Sequence, residues 1–270
     1  MAHSVGFQLV LIPLYPYVIA PLFNKFTPLD ESSPVYPRIH ALASRLGFPL
    51  GKIWVMDGSR RSAHSNAYFF GLPGLSKQIV IFDTLLDTDK TKPEEVEAIV
   101  AHELGHWHGN HIPVLLVTSI VQTALTLSIF ALFLTNGTLL EAFGFPQSRP
   151  LASSLTGSSG GGGDADLARP TIVALMLAST LFTPLGTMLQ FALNAVTRLL
   201  EYNADAFAYR VGGPDTAEHL KSALVRIHED NLSLNRVDAL YSAYENNHPE
   251  LIERLDALDT LLASDTKKSS

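Results

Sequence analysis

The chain has 270 residues, 47% of them hydrophobic and only 17% charged, an oily balance for a protein that meets nothing but water. A net charge of -7 excludes a broad nucleic-acid footprint, which requires clustered Lys and Arg. With no cysteine, disulfides and thiolate metal sites are excluded as well, so only His, Asp and Glu remain as metal ligands.

Residues 2–24 carry no Asp, Glu, Lys or Arg, and crossing a bilayer takes about 20 residues. There is no basic start, and Pro13, Pro16 and Pro21 interrupt the run without a small-residue cleavage pattern. Segment 1–24 therefore reads as a membrane span rather than a signal peptide. In segment 25–111, residues 52–59, 66–70 and 78–82 have the β-branched and aromatic content of short strands separated by turns, which predicts a small sheet. Thr91-Lys92-Pro93-Glu94 then combines a capping-box pattern with proline in the first turn and opens a helix. Val96, Ile99, Val100 and Leu104 form its apolar stripe, which leaves His102 and His106 on another face.

Two further uncharged runs, 112–140 and 171–197, are long enough to span. The loop between them, 141–170, includes a Ser- and Gly-rich stretch from Ser153 to Gly163 that cannot bury a core, and it is expected to be disordered. Segment 198–262 is a second polar, helical region, and 263–270 reads as a disordered tail. Two consecutive spans of nearly equal length make a hairpin, so the chain after Thr197 returns to the side it left near His111. The basic residues fall mainly in 25–92 and from Arg198 onward, on one shared side, which the positive-inside bias makes cytosolic.

His102-Glu103-Leu104-Gly105-His106 is an H-E-x-x-H motif, expected by chance roughly 0.02 times in a chain of this composition. Residues four apart share a helical face, so two imidazoles converge on one ion with Glu103 beside them, an arrangement suited to zinc and a bound water. Metal-assisted hydrolysis of a peptide bond is the natural chemistry, with Glu103 as general base. The longer signature, with a third histidine six residues past His106, fails in register because that position is Ile112. His108 and His111 are read as supporting or surface groups. The hairpin instead brings up Glu201 and Asp205, four apart and just past the third uncharged run. Spacing leaves two readings of this pair open: a solvated helix face, or a third ligand (Glu201) with Asp205 as hydrogen-bond partner of a ligand histidine.

The ordered set Asn24-Lys25-Phe26-Thr27-Pro28-Leu29, His64-Ser65-Asn66-Ala67-Tyr68, Phe82-Asp83-Thr84-Leu85-Leu86, the motif with Trp107, and Glu201-Tyr202-Asn203-Ala204-Asp205 resembles the type I CaaX prenyl protease family. The resemblance runs over most of residues 15–262, through Leu240-Tyr241-Ser242-Ala243-Tyr244 and His248-Pro249 to Glu253-Arg254. It implies a mainly α, multi-span membrane metalloprotease with a small β-sheet beside the zinc site. It further implies one Zn2+ per chain held by His102, His106 and Glu201, with Glu103 as base, Asp205 in support, and His248 polarising the substrate carbonyl. Asn66, Ala67 and Arg254 are implied to contact substrate. The implied substrates are prenylated CaaX proteins, cut to release the last three residues. The implied location is the endoplasmic reticulum membrane and the continuous nuclear envelope, with the site open to the cytosol, membrane lipid as partner, and no nucleic acid. Members of the family carry further spans ahead of the part resembling residues 20–24, so this chain is expected to correspond to a C-terminal portion. Two alternatives are a membrane quality-control zinc protease and an inactive zinc protein that binds prenylated tails.

Overall fold

Four short strands form one mixed sheet: β1 (Phe26–Pro28), β2 (Leu50–Met56), β3 (Ala67–Phe70) and β4 (Lys77–Phe82), in the order β1-β2-β4-β3. The computed structural model describes residues 6–7, 10–11, 14–60, 66–72, 74–87, 89–143, 171–231 and 237–268. β4 is central, and its Ile79, Val80 and Ile81 are all buried, the continuous apolar run expected of a strand covered on both faces. β2 lies parallel to β4, whereas β1 on β2 and β3 on β4 are antiparallel. The consecutive strands β2 and β3 are therefore not neighbours, and β3 becomes an edge. β1 was not anticipated, since it is three residues long and ends on Pro28, which only an edge strand tolerates.

A π-helical turn at Tyr15–Ile19 runs into α1 (Ala20–Phe23), the described end of the first uncharged segment. The rest of segment 1–24 lies in part outside the described residues, so its reading as a span remains an expectation. α2 (Val35–Leu46) buries Val35, Ile39, Leu42 and Ala43, an i, i+4, i+7, i+8 stripe. It stops at Gly47, whose left-handed φ of 65° lets its N–H reach the carbonyls of Ala43 and Ser44.

α3 (Pro93–His108) carries the motif. Its cap sits one residue later than Thr91-Lys92-Pro93-Glu94 suggests: the Lys92 N–H donates to the Glu95 carboxylate at 3.0 Å, and Thr91 is buried. Glu95 is itself 1% exposed, accepts from Ser222 Oγ at 2.6 Å and pairs with Arg226 at 3.3 Å, so the cap also ties α3 to the C-terminal region.

The second uncharged run is α4 (His111–Thr135) followed, after an extended Asn136, by the short α5 (Gly137–Ala142). Residues 144–170 lie outside the described set, and with them the expectation of a disordered loop. The third run opens α6 (Thr171–Asp230), which continues far past residue 197 before Gly213, at φ 77°, breaks its backbone. Among the described residues, α4 and α6 are the helices long and apolar enough to cross a membrane, and almost none of their apolar windows is buried inside the chain. They pair as a hairpin, with Phe130 and Phe182 in ring contact at 6.2 Å. α7 (Ala239–Glu245) is capped by Asp238, which accepts from the N–H groups of Leu240 and Tyr241. α8 (Leu251–Lys268) corrects the expectation of a tail from 263, because its helix runs on to Lys268. The core lies between the sheet, α2, α3, the C-terminal half of α6 and α8, around the fully buried Ile39, Ile79, Ile81, Leu104, Leu220 and Leu258. Burying each such side chain stabilises the fold by about 1.5–3 kcal/mol.

Candidate metal centre

α3 and α6 cross where Gly105 meets Ala204: a Cβ on Gly105 would lie 2.9 Å from the Ala204 Cα, closer than real side chains approach backbone. The missing side chain lets the helix axes come together. His102, three residues before Gly105, and His106, one after it, thereby face Glu201 and Asp205, which flank Ala204 at the same spacing.

His102 Nε2 lies 3.2 Å from His106 Nε2 and 3.5 Å from Glu201 Oε2, and His106 Nε2 lies 3.4 Å from Glu201 Oε1. The potential ligand atoms of these three residues all fall within 4.8 Å of one another. The chemistry of this donor set fits zinc. Zn–N and Zn–O bonds of about 2.0–2.1 Å in a tetrahedron require ligand atoms roughly 3.3–3.4 Å apart, and three protein ligands leave a fourth position open. The other ring nitrogens are already engaged. His102 Nδ1 meets Asp205 Oδ1 at 2.8 Å, which keeps a proton on Nδ1 and leaves Nε2, once it has lost its own proton, as the nitrogen turned towards the other donors.

Asp205 is 1% exposed, and Arg254 forks onto it, donating from Nε to Oδ2 at 2.9 Å and from a terminal nitrogen to Oδ1 at 2.6 Å. A second terminal nitrogen of Arg254 stands 3.9 Å from Glu201 Oε2. Arg254, expected to contact substrate, is 9% exposed and lines the cleft beside the centre, with its guanidinium bonded to the carboxylate that meets His102.

Burial pushes the Glu103 carboxyl up to about 7, with Glu201 adding to the effect while His102 and Arg254 oppose it. Burial also works against charge on His102, yet the Asp205 and Glu201 carboxylates overcome it and raise that imidazole to about 9. His106 lacks such a carboxylate on Nδ1, and burial holds it down at about 4. For Asp205 burial acts upward, but Arg254 and His102 bring the carboxyl to about 2.

A cleft of about 820 Å³ opens over these groups, lined by His102, Glu103, His106 and Glu201 on one side and by Asn66, Ala67 and Tyr68 of the β3 edge on another. Asn66 is exposed, with its Oδ1 accepting from the Ala67 N–H at 2.8 Å, whereas the Ala67 side chain is 2% exposed, so Ala67 offers main chain only. His64 and Ser65 lie outside the described residues. His248 is largely exposed and brings Nδ1 to 3.4 Å from Glu201 Oε1. Two α6 residues that sequence reasoning missed hold that segment down. Arg198 donates to Ser242 Oγ, to the His248 carbonyl at 3.2 Å and to both Glu253 oxygens, and Asn194 donates to the Tyr244 carbonyl at 2.7 Å. Their signal was present in the sequence, because Asn194 is an amide within an uncharged run and Arg198 is the first charge after it. Of the two spare histidines, His108 stays at the surface with its ring 4.6 Å from Phe207, while His111 is 3% exposed and turned to His106.

Residues 32–262 match the profile of Peptidase family M48. The chain is 42% identical to CAAX prenyl protease 1 of Saccharomyces cerevisiae over 97% of its own length and 55% of that protein's. It is 34% identical to the CAAX prenyl protease 1 homolog of Homo sapiens over 94% of this chain and 56% of that one. Among solved structures, S. mikatae Ste24p superposes with a TM-score of 0.73 at 40% identity, covering 94% of this chain and 55% of the other. The chain thus spans about half the length of the relatives it matches. With its sequence, fold and clustered donor atoms in agreement, the chain belongs to Peptidase family M48.

Proposed function

We propose that this chain is a zinc-dependent endopeptidase of a multi-span membrane protein that removes the C-terminal aaX tripeptide from prenylated CaaX proteins. The observation that carries this reading is the convergence of two imidazole Nε2 atoms and the Glu201 carboxylate beside Glu103, at the floor of a cleft walled by a strand edge. The similarity to proteins named CAAX prenyl protease 1 supplies the substrate class.

His102, His106 and Glu201 would hold the zinc, with Asp205 and Arg254 fixing the His102 tautomer and ring direction. When bound, zinc supplies a Lewis acid that polarises a carbonyl and lowers the pKa of water towards about 7. Glu103 accepts the proton of the attacking water and delivers it to the departing amine, a task for which a carboxyl near 7 is well matched. The exposed His248 imidazole reaches over the centre and donates to the carbonyl oxygen as charge develops there. The free edge of β3, with Asn66 at its start, takes the substrate as an added strand through main-chain hydrogen bonds. The site opens to the cytosolic face of the endoplasmic reticulum membrane and of the nuclear envelope continuous with it, with α4 and the apolar first part of α6, residues 171–197, in lipid.

The test is cleavage of a farnesylated CaaX peptide by the chain purified in detergent, beside an unprenylated control and the Glu103→Gln variant. Release of the tripeptide from the prenylated peptide alone, dependent on Glu103, is the expected result. Equal cutting of both peptides would point to a quality-control protease, and zinc uptake without Glu103-dependent cutting to a binding protein.

A further inference from the structure

The turn that joins the motif helix to the first apolar helix is built around one imidazole. α3 ends at Gly109, Asn110 takes up a left-handed conformation at φ 52°, and His111 begins α4. Asn110 is the one non-glycine residue with positive φ among the described residues, and asparagine tolerates that region better than most. The turn folds the His111 ring back against α3. A Cβ on Gly109 would lie 2.3 Å from His111 Nε2, so the ring occupies the space that any other residue at 109 would need. The ring is 3% exposed, and its Nδ1 stands 2.8 Å from His106 Nδ1, with the two rings nearly perpendicular at 77°.

The geometry points to His111 as a positioning residue for the metal centre: it accepts a hydrogen bond from His106 Nδ1–H and so directs the His106 Nε2 lone pair at the cation. This rests on the proposed zinc site. The tautomers follow from the network. His106 Nε2 faces His102 Nε2 and Glu201, so its proton sits on Nδ1, and His111 must then present an unprotonated Nδ1 and carry its own proton on Nε2, beside Gly109. The two ligand histidines are thus held by unlike partners, His102 by the carboxylate of Asp205 and His106 by a neutral imidazole. The second of these belongs to the first residue of an apolar helix, so the ligand's orientation depends on how that helix joins α3.

His111→Asn and His111→Leu separate this role from packing. The Asn Oδ1 reaches the place of the imidazole Nδ1 and accepts the same bond, while Leu fills the volume with no acceptor. In the 270-residue chain in detergent, zinc affinity is measured by competition with a chromophoric chelator, and folding by the thermal midpoint of the metal-free protein. The Leu variant is expected to bind zinc about 10- to 100-fold more weakly at an unchanged metal-free midpoint, with the Asn variant within a few-fold of the natural chain. If the Leu variant does not fold, Gly109→Ala asks the same question by displacing the ring while keeping every donor of the site, and a comparable loss is expected. Equal affinity in the Leu and natural chains, or equal loss in the Asn and Leu variants, overturns the assignment. A natural chain that takes up no zinc would instead overturn the metal centre on which it depends.

Discussion

At the residue scale the proposed mechanism separates holding a metal, by His102, His106 and Glu201, from moving a proton, by Glu103. Glu103→Gln preserves shape and the three proposed ligands but removes the proposed proton acceptor, so zinc content should stay near one per chain while kcat falls about 100- to 10,000-fold. Metal analysis and single-turnover assays on the same preparation check both halves. The titration of Glu103 has a definite sign. Burial raises its carboxyl to about 7, only the ionised form accepts a proton, and a nearby cation moves the value downward, so activity is lost on acidification with a midpoint at or below about 7. His102 acts in the opposite sense. Its metal-free imidazole holds a proton up to about 9, and zinc must displace that proton, so zinc affinity should climb as pH rises towards about 9 and each uptake should release protons into a weakly buffered solution. Asp205→Asn removes the charge that Arg254 and His102 share. Leaving Arg254 buried without its partner should cost about 3–5 kcal/mol, visible as a lower urea midpoint.

At the element scale the decisive contact is the crossing of α3 and α6. Gly105→Ala brings a methyl group against backbone that cannot swing aside, so the helices must separate. A loss of about 1–3 kcal/mol in thermal or urea unfolding is expected, together with weaker zinc binding, because His102 and Glu201 sit on the two helices being driven apart. The strands at 52–59, 66–70 and 78–82 were legible from their β-branched and aromatic content, but their order was not. Periodicity tells which residues face inward. It does not tell that β4 slips between β2 and β3, and that insertion is what turns β3 into the edge beside the candidate metal centre.

At the scale of the whole molecule, the hairpin of α4 and α6 places residues about a hundred positions apart in one centre. The cysteine-free chain makes the proposed topology easy to test. Single cysteines introduced at Glu97 and Asp259, in the two polar segments, should react with an impermeant maleimide from the same face of sealed vesicles, and one at Gln147 from the other. Labelling of 97 and 259 from opposite faces would break the hairpin.

The sequence by itself determined the histidine pair on one face of the motif helix and the two apolar helices, because these follow from local spacing: four residues to a shared helical face, and about twenty uncharged residues to a span. It left Glu201 and Asp205 suspended between solvated face and ligand set until family resemblance weighed in. Only the tertiary structure decided that Arg254 forks onto Asp205, that His111 turns back onto His106, and that Arg198 and Asn194 clamp the segment bearing His248. Each of those outcomes is set by the direction of a side chain after helices have packed, and one chain's spacing carries no information about which distant groups will fill the same few ångströms.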